Sequence, residues 1–77
     1  MKIEVLGPGC AKCQTLADNT KKAVAELGIE CEIEKVTNID AIVERGVMMT
    51  PALVIDGAVK TVGRVVSEKE IMALLEA

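Results

Sequence analysis

The stretch Ile3-Glu4-Val5-Leu6-Gly7-Pro8-Gly9-Cys10-Ala11-Lys12-Cys13 decides the fold, because it holds a change of structural period and two thiols at the point of change. Ile3, Val5 and Leu6 form a short apolar run that Gly7-Pro8-Gly9 ends, the pattern of a strand running into a loop. From Ala11 to Leu27, Leu16, Thr20 (through its methyl), Ala23, Val24 and Leu27 recur at intervals of three and four. Lys12, Asp18, Lys21, Lys22 and Glu26 fall elsewhere, so the segment reads as an amphipathic helix that Gly28 stops. Cys10 and Cys13 therefore flank the first turn of that helix.

The location matters more than the C-x-x-C spacing. A helix N-terminus has unpaired backbone N–H groups and a partial positive charge, and both stabilise a thiolate. Cys10 is thus the expected nucleophile. Cys13, one turn further on, can approach it to close a disulfide and is the expected resolving thiol. A bridge across so short a loop adds only ~2 kcal/mol of chain-entropy stabilisation, which suits opening and closing better than stapling. Lys12 either adds positive charge beside the pair or simply points to solvent.

Outward from the thiols, Ile29 to Val36 alternates Glu30, Glu32 and Glu34 with Cys31 and Ile33, the period of a strand with one wet face. Its carboxylates suit a sheet edge, and Cys31 is expected to point inward as a small hydrophobe. Thr37 or Asn38 then caps a short helix that carries Ile39, Ile42 and Val43 on one side and ends at Gly46. Ala52 to Ile55 and Val59 to Val62 flank Asp56-Gly57, a hairpin signal. Ser67-Glu68-Lys69-Glu70 has the form of a capping box and opens a last helix burying Ile71, Leu74 and Leu75. The order is β-α-β-α-β-β-α in one domain spanning residues 1–77, with the first strand central and the Glu-rich strand at an edge.

Composition narrows the chemistry. The 77 residues are 51% hydrophobic yet include no His and no aromatic residue, so an imidazole base and base-stacking platforms are both excluded. Nine Lys+Arg against twelve Asp+Glu leave a net charge of −3, the wrong sign for a nucleic-acid partner. Three Cys are too few for a secreted disulfide scaffold. No signal-type or membrane-length apolar run occurs, so the expected location is cytoplasmic with no membrane partner. No cofactor is expected. Zinc needs four N or S ligands, more than the three cysteines supply, so no metal is expected there. A soft ion on two thiolates, as in a small metallochaperone, is an alternative, although those domains run β-α-β-β-α-β.

With strand, Cys10-Ala11-Lys12-Cys13, helix, and Thr50-Pro51 before a strand in place, the chain resembles a minimal thioredoxin-fold protein over nearly its whole length. It is most similar to small thioredoxin-like proteins of the "redox-active disulfide protein 2" type, with their Gly-x-Gly-Cys-x-x-Cys opening and late Gly63-Arg64-Val65. The resemblance implies an α/β minimal thioredoxin-like fold, a four-stranded mixed sheet with helices on both faces. It also implies a protein-disulfide oxidoreductase of electron-carrier type, with Cys10 and Cys13 as its redox-active disulfide, Cys10 attacking and Cys13 resolving. Its partners would be oxidised target proteins and a reductase as electron donor, and the chain is expected to act as a monomer.

The resemblance further implies that Pro51 is cis and faces the disulfide, with Thr50 offering its backbone to a partner peptide. Met49, beside Met48, forms a soft apolar docking rim or else fills the core where an aromatic residue would otherwise sit. Glu4, six residues before Cys10, stands where thioredoxins carry a buried carboxylate that moves a proton. It tunes the thiols if buried; a solvent-facing side chain is the expectation. A redox sensor without turnover and a glutaredoxin-like use of glutathione are the remaining alternatives. The latter lacks the usual Gly-Gly pair before the last helix, having Gly63 alone.

Overall fold

The computed structural model describes residues 1–9 and 11–76. Strand β1 (Lys2–Leu6) leads to helix α1 (Ala11–Leu27), strand β2 (Glu32–Val36), helix α2 (Ile39–Glu44), the hairpin β3 (Ala52–Ile55) and β4 (Ala58–Val62), and helix α3 (Glu68–Glu76). The sheet order is β2-β1-β3-β4, with β1 parallel to β2 and antiparallel to β3. As expected from its apolar run, β1 is central, and the Glu-rich β2 is an edge. A single crossover through α1 yields the parallel pair.

Strand parity divides the core. Ile3, Val5, Leu53 and Ile55 pack with Leu16, Ala17, Ala23, Val66, Ile71 and Leu75 beneath α1 and α3. Leu6, Ala52 and Val54 occupy the other face with Ile42 and Val47, on the side of α2. Helices therefore cover both faces, although unequally.

Local signals act where the sequence put them. Gly28, at φ +65°, ends α1 and donates to the carbonyls of Val24 and Ala25. Asp56 (φ 48°) and Gly57 (φ 83°) are both left-handed, which a two-residue hairpin of the I′ kind requires. The Asp56 carboxylate accepts from the Lys2 N–H at 2.8 Å, tying the turn to the start of β1. Asn38 caps α2 by accepting from Ala41 N–H, and Ser67 Oγ caps α3 by accepting from Glu70 N–H at 3.2 Å. The Glu70 carboxylate turns outward to Arg64 instead of back to the cap. Buried Thr20 satisfies its hydroxyl on the Leu16 carbonyl at 2.8 Å.

Three expectations change. β2 begins at Glu32 instead of Ile29, because its partner β1 begins only at Lys2, whose register mate is Glu32. Of the three apolar residues on α2 only Ile42 is buried, while Ile39 and Val43 are each 57% exposed; six residues make fewer than two turns, too short a stripe to cover the sheet. In α3, Ile71 and Leu75 are buried but Leu74 is only half-buried.

Candidate functional site

The site is built at the end of β1. Gly7 continues the parallel ladder by donating to the Val36 carbonyl at 2.9 Å, and Gly9, at φ +94°, turns the chain toward α1. Cys13 then comes on the first turn of α1 and is only 5% exposed. A Cβ added at Gly7 would lie 2.2 Å from Cys13 Sγ and 3.8 Å from Thr50 Cβ. The missing side chain at position 7 is therefore the seat of the Cys13 sulfur, and Thr50 borders the same seat. Cys10, the expected nucleophile, lies outside the described residues.

The first turn of α1 has no acidic residue, so no carboxylate there offsets the positive end of the 17-residue dipole. Lys12 is exposed there. Beside Cys13 opens a cleft lined by Gly7, Gln14, Lys35 and Thr37, in which Lys35 Nζ donates to Gln14 Oε1 at 3.3 Å. Sequence reading singled out none of Gly7, Lys35 or Gln14. A glycine three residues before a helix-start cysteine was the available signal for Gly7.

The expected cis proline is present at the entry to β3. The Thr50–Pro51 bond is cis, Pro51 is buried, and its carbonyl accepts from Gly63 N–H at 2.9 Å. Met49 lies on Gly63, where an added Cβ would come within 3.2 Å of Met49 Cβ and Cε. Met48 is 89% and Met49 62% exposed, so neither fills the core.

Glu4 is a correction. It is 4% exposed, not solvent-facing, and its Oε1 accepts from Arg45 Nη1 at 2.5 Å. Central placement in the sheet buries it, and Arg45, 41 residues away at the end of α2, supplies the counter-charge. The second oxygen, Oε2, is buried with no hydrogen-bond partner. Parity puts Glu4 with Leu6 and Val54 on the α2 face of the sheet, whereas Gly7, and Cys13 with it, belong to the α1 face. The hydrogen bond and charge of Glu4 hold the Arg45 guanidinium even above its ordinary pKa.

Cys31 is half-buried against the larger core cluster, and desolvation pushes its thiol pKa up. Among the described residues, no group of three or more Cys, His, Asp or Glu side chains is arranged to hold a metal, and no helix is long and apolar enough to cross a membrane.

The family described as thioredoxin domain matches residues 1–76. The chain is 48% identical over 75 residues, 97% of each chain, to a thioredoxin of Methanothermobacter thermautotrophicus. It is 41% identical over 75 residues to a thioredoxin of Methanocaldococcus jannaschii, covering 97% of this chain and 86% of the other.

Proposed function

The chain belongs to the thioredoxin family and is a thioredoxin-like redox protein, and from that premise we propose that it reduces disulfide bonds of partner proteins through Cys10 and Cys13. The Cys10 thiolate attacks one sulfur of the partner disulfide, forming a mixed disulfide and expelling the partner's other sulfur as a thiolate. Cys13, as thiolate, then attacks the Cys10 sulfur and expels the second partner thiolate. Two electrons pass to the partner, whose thiolates take up two protons, and the protein is left as the Cys10–Cys13 disulfide. A reductase carrying a dithiol returns it to the reduced state.

The observation that supports this reading most is the seat at Gly7. It holds Cys13 Sγ at the start of α1 with Thr50 alongside, so the resolving thiol and the residue before the cis proline share one contact point. Buried Cys13 is screened from solvent-borne partners, which leaves first attack to Cys10. In this reading half-buried Thr50 offers its backbone to a partner peptide, and exposed Met49, with Met48, offers an adaptable apolar rim. The helix N-terminus stabilises the thiolate. Glu4, paired with Arg45 on the opposite face of the sheet, is given no proton-transfer role at the thiols.

The test is turnover. With dithiothreitol as reductant, the wild-type protein is expected to reduce a disulfide-bonded protein such as insulin catalytically, and Cys10→Ser and Cys13→Ser are each expected to abolish this. Tight stoichiometric Cu(I) binding by the reduced protein, combined with no disulfide reduction, would replace this reading with a metal-binding one.

A further inference from the structure

Between α2 and the Thr50–Pro51 bond runs the segment that carries the partner-facing side of the site, and its upstream anchorage is slender. α2 has six residues and buries only Ile42. Its end folds tightly: Arg45 N–H donates to the carbonyls of Ala41 and Ile42, Gly46 N–H to Val43, and Val47 N–H to Ile42. Ile42 and Val47 seat this knot apolarly against Leu6, Ala52 and Val54. Such contacts resist separation but define position along the sheet weakly, since aliphatic packing has no direction.

Arg45 supplies a direction. Its guanidinium reaches from the α2 terminus to Oε1 of Glu4 in the central strand, and Glu4 is buried. A buried carboxylate strongly penalises loss of its partner, so the pair fixes one point of the knot against one point of β1. Three residues on, just past the end of β1, is Gly7, the seat of Cys13. Downstream of the knot, Met48, Met49 and Thr50 lead to Pro51, whose carbonyl is held by Gly63 N–H. One strand therefore references both halves of the site: the thiol at its end, and the proline segment through the ion pair. Glu34 and Glu44 add negative charge near Arg45, and Lys2, bridged to Glu34 at 3.0 Å, is a second cation near Glu4.

We propose that Arg45 is a positioning residue for protein substrates: its ion pair with Glu4 sets the Met48–Pro51 segment against the thiols, so that a partner peptide meets Thr50 and Cys10 together. The proposal rests on the reading above that Thr50 receives the partner. It separates two substrate classes. A polypeptide disulfide uses the proline segment, whereas a small symmetric disulfide needs only the thiols.

The decisive variant is the double substitution Arg45→Met with Glu4→Met, which removes both charges and keeps unbranched side chains of similar reach. Glu4 is buried while the Arg45 side chain is 39% exposed, so the double substitution leaves no unpaired charge in the sheet and adds apolar surface only at the edge of α2. In this variant, KM for a disulfide-bonded protein is expected to rise about tenfold, while the rate with a small aromatic disulfide and the dithiol potential stay at wild-type values. The single Arg45→Met variant is expected to be less stable than the double one, because it leaves Glu4 charged and alone; Arg45→Lys is expected to recover part of the protein-substrate KM. If the double variant is stable and keeps the wild-type KM, the pair is structural only and the proposal fails. It fails equally if both substrate classes lose rate together. A wild-type protein that does not reduce protein disulfides would instead overturn the functional reading itself.

Discussion

Gly7→Ala is the substitution whose consequence the structure defines most sharply. The added Cβ would stand 2.2 Å from Cys13 Sγ and 3.2 Å from Cys13 Cβ. An ordinary contact needs ~3.5–4.0 Å, so sulfur and methyl must separate by about 1.5 Å. Rotating the cysteine about χ1 moves the sulfur but leaves the tight Cβ contact, and it removes the sulfur from its place beside Thr50. The alternative is to push the first turn of α1 off the end of β1. Overpacking of this size costs about 1–3 kcal/mol, or a Tm lower by roughly 4–8 °C for each kcal/mol in a domain this small. A displacement near 1 Å at reacting atoms costs about 100-fold in rate, so kcat/KM for protein-disulfide reduction is expected to fall by about that factor. Gly28→Ala is the control. At φ +65° an alanine there strains the backbone, yet its added Cβ meets nothing within 4 Å and it lies at the far end of α1. It is expected to lower Tm without changing kcat/KM measured below Tm. A Gly7→Ala protein with wild-type kcat/KM would refute the seat.

Three further outcomes follow. Burial raises the Cys31 thiol pKa above 9.0, which means that the fold favours the neutral form; that stabilisation is complete below the unfolded value and lost as pH climbs through the folded one. In a protein with Cys10 and Cys13 changed to Ser, iodoacetamide alkylation of Cys31 is therefore expected to reach half its limiting rate above pH 9.0, and a midpoint below 9.0 would contradict its burial. Ser67→Ala removes the cap on Glu70 N–H and is expected to cost about 1 kcal/mol in urea unfolding with an unchanged m-value; no loss would mean the cap is not formed in solution. Exchanging both Met48 and Met49 for Ser takes apolar surface from the rim and is expected to raise KM for a protein disulfide several-fold with kcat preserved, which steady-state kinetics resolves.

The β1–α1 junction was readable because two periodicities meet at a glycine-rich turn, and that junction alone locates the thiols. The central position of β1 was readable for a similar reason, since three of its five residues are aliphatic. What escaped depends on pairs distant in sequence. Glu4 looked exposed near the chain start, where the adjacent cation Lys2 bridges to Glu34; the charge that balances Glu4 is Arg45, 41 residues on, and only the packing of α2 across the sheet joins them. Gly7 read as a turn residue, whereas its importance is the space it leaves for a side chain six positions later. Ile39 and Val43 obeyed helical spacing yet remain exposed, because periodicity reports a face and not whether the helix is long enough to bury it. The start of β2 was misjudged for a related reason: alternation continued past the point where β1 could pair with it.

The central claim is the order of thiol chemistry, and trapping tests it most directly. Incubated with an oxidised substrate protein, the Cys13→Ser variant is expected to accumulate a stoichiometric mixed disulfide, with peptide mapping locating the linkage at Cys10. The Cys10→Ser variant is expected to accumulate none, because Cys13 is buried. Trapping through Cys13, or no adduct in either variant, would contradict the account.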